Sequence, residues 1–406
     1  MKRLMFFIML MLLATLLVAC GGAEQLTCED AIGCVEIAPG DPIRIASSLV
    51  ITGPNAQLGT DSQRGVEIAI QDRGEIEGHP IELQAEDDGC SAEGGQTSAQ
   101  KIVADPTIVG VIGTSCSGAG VPAASIIADN GFVMISPSNT APVLTHPDTR
   151  EDGYFRTAHN DEVQGRAMAD FAYNELGARV AAAIHDGDPY TEGLSSVFRD
   201  AFEELGGEIV AFEAEDPNAT NVTPVLTSVA AAGPPEFLYY PVFTVLGANL
   251  TQQARQIEGL SETVLAGADG ILSPDFLDAA GDAALGMYLS GPDLGFENQA
   301  YADFLATYQE DYGSEPVAAF HAHSYDATNI LLDAIIEVAQ ISDDGTMLIG
   351  RQALRDAIAA TSGYAGITGT LTCDENGDCA DPRIAVNEVQ ATDGGMDFVP
   401  IYSYEP

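Results

Sequence analysis

No tryptophan occurs in this 406-residue chain, and lysine is nearly as scarce: past Lys2 only Lys101 remains. Lys and Arg together number 15 against 61 Asp and Glu. Phosphate contacts require clustered Lys and Arg, so this balance excludes nucleic acid as a partner. No CxxC pair occurs and the six histidines are scattered, which argues against a metal site. No GxxxxGK[ST] loop is present to cradle a nucleotide phosphate. GTSCSG (113–118) is not a nucleophile elbow, because Ser117 stands where GxSxG needs its second glycine. With no nucleophile–base pair visible and no cofactor motif, an enzyme is the weakest of three function classes. Beyond residue 20 no run reaches 18 apolar residues, so no later segment is long enough to cross a bilayer as a helix.

What is present begins with an address. Lys2 and Arg3 precede an apolar run, Leu4 to Val18, that ends in Leu17-Val18-Ala19-Cys20. This resembles a bacterial lipobox, so residues 1–19 are expected to be a lipoprotein signal peptide and Cys20 the lipid-bearing residue. The expectation is an exported protein of the periplasm or cell envelope, held to the membrane by lipid. Without residues 1–19 the chain carries 13 Lys and Arg against the same 61 acids, a net charge of −48 spread as a hydrated acidic surface. Seven cysteines in an exported chain suggest one anchor and three disulfides. Spacing proposes Cys28 with Cys34 and Cys373 with Cys379; Cys90 and Cys116 remain, each after an expected strand.

The stretch from Val109 to Pro142, VGVIGTSCSGAGVPAASIIADNGFVMISPSNTAP, organises the rest. Val109–Gly113 and Phe132–Ser136 read as strands, joined by a helix entered at Ser117. Two parallel strands then present two loops at their C-terminal edge, where open α/β sheets bind ligands. Ser117 stands at a helix N-terminus, where free N–H groups and the helix dipole favour an anion. Ser138, Asn139 and Thr140 lie on the neighbouring loop. The site suits a small carboxylate.

Strand and helix patterns alternate on both sides of this stretch, which predicts parallel sheets covered on both faces. A Gly- and acid-containing tether, 20–40, precedes the first strand at Ile43–Leu49. The alternation pauses at 142–155 and resumes, giving a second βα unit through about residue 289. Two long helices, 298–312 and 320–340, and a shorter one at 351–361 follow. GITGTLTCDENGDCADPRIAV (366–386) reads as a hairpin and Phe398–Tyr402 as a last strand. The chain is too long for one core, so two domains are expected.

Five stretches, in this order and spacing, carry a family resemblance: SLVITGPNAQLGTDSQRGVEIAI (48–70), EDDGCSAEGGQTSAQKIV (86–103), the 109–142 stretch, AAIHDGDPYTEGL (182–194) and FHAHSYDATNILLDAI (320–335). From about Asp41 onward the chain resembles a type I periplasmic binding protein of the branched-chain amino-acid, Leu/Ile/Val-binding class. The resemblance implies two doubly wound parallel-sheet lobes joined by three hinge crossings and closing on a ligand like a flytrap. One lobe would comprise about 41–157 and 290–366, the other about 158–289 and 367–406. It further implies that Ser117 holds a ligand α-carboxylate and that Ser138 and Thr140 contribute a carbonyl and a hydroxyl. Tyr190 would form an aromatic wall from the opposite lobe, and Asp269 would pair with an α-ammonium. Leu58 and Phe243 stand where better-known members carry Tyr. Cys90 and Cys116 match the family's disulfide beside the pocket.

Each assignment has a plain structural rival. Ser117 serves equally as a helix N-cap, Asp269 as a turn residue in Asp-Gly, and Tyr190 as surface packing. His321 and His323, two apart, fall on different helix faces, against a shared metal. Asp374, Asn376 and Asp378 echo a calcium loop, but Cys379 occupies the glycine position that loop needs. The leading function is a monomeric, lipid-anchored receptor that delivers an amino acid or similar small molecule, such as an amide, to an ABC permease. The second is a sensing domain of the same fold with a separate signalling partner.

Overall fold

The computed structural model describes residues 26–406, so the signal segment and Cys20 lie outside the described residues. Two sheets dominate the fold. The first has six strands in the spatial order Glu75–Ile76, His79–Asp87, Ile43–Leu49, Ile108–Gly113, Met134–Ser136, Tyr154–Arg156, all parallel except the short first one. Ile108–Gly113 is buried at every residue and reads as a continuous apolar run because helices cover both faces of the sheet. Helix Ser117–Asp129 returns the chain from this strand to Met134–Ser136.

The second sheet has seven strands: Glu208–Ala214, Val180–His185, Phe237–Tyr239, Val264–Gly267 and Tyr288–Pro292 run parallel, then Ile384–Thr392 and Gly395–Tyr404 add antiparallel. The alanines of Val180–His185 leave room that Phe198, Phe202, Phe237 and Tyr239 fill as one aromatic cluster. Such rings prefer offset or tilted contacts, which these are. The chain crosses between the sheets three times: after Arg156, after Pro292, and between Leu371 and Ile384.

Helices Gln299–Tyr312 and His321–Val338 pack back on helix Ala56–Arg73 of the first lobe. Gly65 makes the latter approach close: a Cβ there would strike the Ser324 hydroxyl and the His321 carbonyl. Interdigitation at that distance requires the missing side chain.

Several expectations need correction. Residues 20–40 are not wholly a tether. Cys34–Ile37 is a strand paired antiparallel with Met347–Gly350, and Val35 and Ile37 are buried in the first core. The division expected after residue 289 falls inside strand Tyr288–Pro292. The segment 366–386 is not one hairpin; Tyr364–Gly366 pairs with Gly369–Leu371, and a longer hairpin joins Ile384–Thr392 to Gly395–Tyr404. Asp393-Gly394 between those strands was the available turn signal. Helix Ala56–Arg73 begins directly after the turn residues Gly53 and Pro54, with Asn55 at its N-cap position.

Candidate functional site

The two lobes close over a tight cleft lined by Leu58, Ser115, Cys116, Ser117, Ser138, Thr140, Tyr190, Phe243, Asp269, Gly270 and Phe320. All seven residues expected at the site therefore lie on one cavity wall or another. Ser115, Gly270 and Phe320 join them without having been singled out.

The first lobe supplies polar groups at strand ends. Ser117 is the first residue of its helix, with Cys116 as the N-cap and no side-chain cap. Its hydroxyl accepts from Thr140 N and Ala141 N, both at 3.2 Å, so it ties the two loops together instead of capping its own helix. The Ser138 hydroxyl donates to Ser115 O at 2.8 Å. Asn139 sits beneath, its Nδ2 donating to Thr114 O at 3.0 Å and its Oδ1 accepting from Tyr154 OH at 3.2 Å. Cys90 and Cys116 are bonded beside the cavity, and Cys28–Cys34 and Cys373–Cys379 are the other two disulfides. Arg156, fully buried, holds the second loop through Ala141 O at 2.9 Å and Asn139 O at 3.3 Å. Its guanidinium is charge-paired with Asp378, which also accepts from Asn160 and Thr145. Asp378 thus serves the hinge and not a calcium loop.

The second lobe supplies acidity. Asp269 is 5% exposed. Its Oδ1 accepts from Gln164 Nε2 at 2.7 Å and Tyr190 OH at 3.3 Å, while no protein donor among the described residues reaches Oδ2. Tyr190 also accepts from Gly270 N at 3.2 Å and packs on Phe243 with ring centroids 5.5 Å apart. It is therefore a wall and a support for Asp269 at once. Burial pushes the Asp269 carboxyl above the usual carboxylate range, with His159 and Gln164 opposing. Asp161 is also completely buried; no donor of good hydrogen-bond geometry meets its carboxylate, and the Thr140 hydroxyl only approaches it. Burial, and then the charge of Asp269, pushes Asp161 well above its ordinary value; Arg156 and the Thr140 hydroxyl oppose this.

A buried carboxylate lacking partners is costly, and two side by side are costlier. A cationic ligand group entering the cavity would relieve Asp269, which lines it. An anionic group would meet the Ser117 and Thr140 hydroxyls and the N-terminus of helix Ser117–Asp129. Asp269 lines the cavity where a zwitterion's ammonium would stand if its carboxylate faced the first lobe. Sequence reasoning missed Asp161, His159, Gln164 and Arg156, since each is single and without a spacing pattern. Among the described residues no group of three or more His, Cys, Asp or Glu is placed to hold a metal ion.

A family model described as Periplasmic binding protein matches residues 42–394. The Leu/Ile/Val-binding protein homolog 3 of Brucella melitensis is 28% identical over 358 residues, spanning 87% of this chain and 93% of that protein. The leucine-, isoleucine-, valine-, threonine- and alanine-binding protein of Pseudomonas aeruginosa is 29% identical, over 83% of this chain and 87% of that one. Among solved structures, the leucine-binding protein LivK of Thermotoga maritima superimposes with a TM-score of 0.80 at 27% identity, covering 90% of this chain and 99% of that one. The chain therefore belongs to the type I periplasmic binding proteins of the branched-chain amino-acid class, a family of solute-binding proteins and not of enzymes.

Proposed function

We propose that this protein is a lipid-anchored, extracytoplasmic receptor that captures a small aliphatic amino acid between its lobes and delivers it to an ABC permease. One observation carries the ligand class: the buried carboxylate of Asp269 from the second lobe faces hydroxyls and a helix N-terminus of the first across one cavity. Neither lobe satisfies both charges of a zwitterion, so the ligand favours the closed form, and closure is what a permease can read. The apolar walls Leu58, Phe243, Tyr190 and Phe320 suit an aliphatic side chain. The names of its relatives, which bind leucine, isoleucine, valine, threonine or alanine, support the same choice. Ser117 and Thr140 then hold the carboxylate, Asp269 the ammonium, and Ser138 the loop between them.

In this reading the lobes comprise about 41–157 with 293–371 and 158–292 with 384–406. The protein works as a monomer, tethered through Cys20 and residues 21–33.

Isothermal calorimetry and thermal shift across amino acids, amides and urea test the ligand. An aliphatic amino acid should bind with a large stabilisation, while its des-amino acid should bind far less. Binding of amides or urea alone would remove the amino-acid assignment. Membrane fractionation tests the anchor: Cys20→Ala should move the protein to soluble fractions, and a soluble wild type would refute lipidation.

A further inference from the structure

We propose that His159 is a positioning residue for ligand recognition: its ring N–H, relayed through Gln164, aims Asp269 at the ligand's ammonium, while its ring face supports Phe320. The proposal deepens the amino-acid reading above and rests on it.

The hydrogen bonds run in one direction. Gln164 Nε2 donates to Asp269 Oδ1 at 2.7 Å, and to Ser290 O at 3.1 Å and Ser290 Oγ at 3.0 Å. The amide nitrogen is thereby assigned to the Asp269 side, so Oε1 faces the His159 ring and accepts from its Nε2. His159 must carry its hydrogen on Nε2, and its Nδ1 is buried with no partner. Burial holds the imidazole below its ordinary pKa, hence neutral, which is the form that donates once and in one direction. Gln164 is itself fully buried and has no water to replace this contact.

His159 also touches the other lobe. Its ring stacks on Phe320 with centroids 6.1 Å apart at 25°, and Phe320 lines the ligand cavity. A second cavity lies on its far side, between the crossings, lined by Pro292, Phe296, His323 and Arg383. His159 follows the first crossing, Pro292 opens the second and Arg383 belongs to the third. One imidazole thus contacts the first-lobe wall directly at Phe320 and reaches the second-lobe wall, Asp269, through Gln164, at the place where the hinge strands converge. Rotation at the hinge must move this ring, and the ring's donor sets the angle of Asp269.

The test uses the full-length protein and three substitutions. His159→Phe keeps a ring against Phe320 and removes the donor; His159→Gln restores a donor near the Nε2 position; Gln164→Met cannot relay. The probes are leucine and alanine, each paired with the carboxylic acid lacking its α-amino group, by calorimetry. His159→Phe and Gln164→Met should weaken the tighter amino acid by about tenfold, the size of one lost buried hydrogen bond to a charged partner's support. The des-amino acids should be unaffected, and His159→Gln should recover most of the loss. Equal weakening of amino acid and des-amino acid would overturn the proposal and leave the amino-acid reading standing. Retained ammonium selectivity in both donor-deleting variants would overturn it as well. If wild type binds the des-amino acids as well as the amino acids, the ligand reading falls and the positioning role falls with it.

Discussion

Asp188 of the second lobe and Gly118 of the first are in contact across the cleft. The carboxylate caps its own helix, Pro189–Glu204, by accepting from Tyr190 N at 2.9 Å. The Gly118 N–H, in the first turn of helix Ser117–Asp129, approaches the same carboxylate. A Cβ built on Gly118 would collide with Asp188 Oδ2. One side chain therefore answers the N-terminal N–H groups of two helices, one per lobe, and only when the lobes are together.

Gly118→Ala should oppose closure. Alanine is the better helix former by about 1 kcal/mol, so the free protein should melt no lower than wild type. Ligand affinity should nonetheless fall by tenfold or more, on the order of the cost of an overpacked contact. Calorimetry read beside small-angle scattering at saturating ligand checks this. A variant that compacts and binds like wild type would show that the cleft accommodates the methyl group.

Asp269→Ala should remove the ammonium's partner and leave a desolvated charge. The expected loss is about 2–5 kcal/mol, or about 30- to 4,000-fold in affinity. Ser117→Ala removes one hydrogen bond to a charged group and should cost less, about 1.5–3 kcal/mol. Because Ser117 also bridges to Thr140 N and Ala141 N, part of its effect should appear as lower stability of the free protein. Unchanged binding in Asp269→Ala would mean that the ligand carries no ammonium there.

Arg156→Met leaves Asp378 facing the hinge without its charge and releases the carbonyls of Asn139 and Ala141. Breaking one side of a buried pair costs about 3–5 kcal/mol. Arg156→Lys should recover little, since one ammonium cannot replace a fork that serves several acceptors at once. Urea denaturation gives the measurement. A loss below about 1 kcal/mol would show that solvent satisfies Asp378.

Asp88 and Asp326 should each withdraw stability as pH rises from about 4 to 7. Burial pushes Asp88 up to about 7 and Asp326 up to about 6, against backbone N–H donors that favour the ionised form. The unfolded chain gives up these protons near pH 4, while the folded chain keeps them longer. At these two carboxyls the folded state binds more protons in that window, so their contribution to the slope of unfolding free energy with pH is negative. Buried His323, pushed down to about 3, contributes with the opposite sign. A tenfold difference in proton affinity between the states is worth about 1.4 kcal/mol. Asp326→Asn and Asp88→Asn should each flatten the curve over this range. Variant curves that parallel the wild-type curve from about pH 4 to 7 would contradict the prediction.

Local patterning was enough for most elements. The helix Thr223–Ala232 begins and ends where its composition indicates, and the β-α alternation alone implied parallel sheets. The strand–helix–strand stretch at 109–142 pointed to the loops that carry Ser117, Ser138 and Thr140, because strand ends and helix starts are local features. Asp269, Tyr190, Leu58 and Phe243 came from the resemblance, since nothing in their immediate neighbours distinguishes them.

Tertiary structure decided the remainder. Cys34–Ile37 is too short to show periodicity, and it is a strand only because Met347–Gly350 offers an edge. Gln164 meets Asp269 across 105 residues of sequence, and Arg156 meets Asp378 across 222. Asp161 is one acid among 61 until the fold removes its water and leaves its oxygens no well-placed donor. Periodicity and capping act over a turn or two of chain and so are written in sequence. Desolvation, and the pairing of single polar groups at a hinge, depend on which distant segments close over them, and no local pattern encodes that.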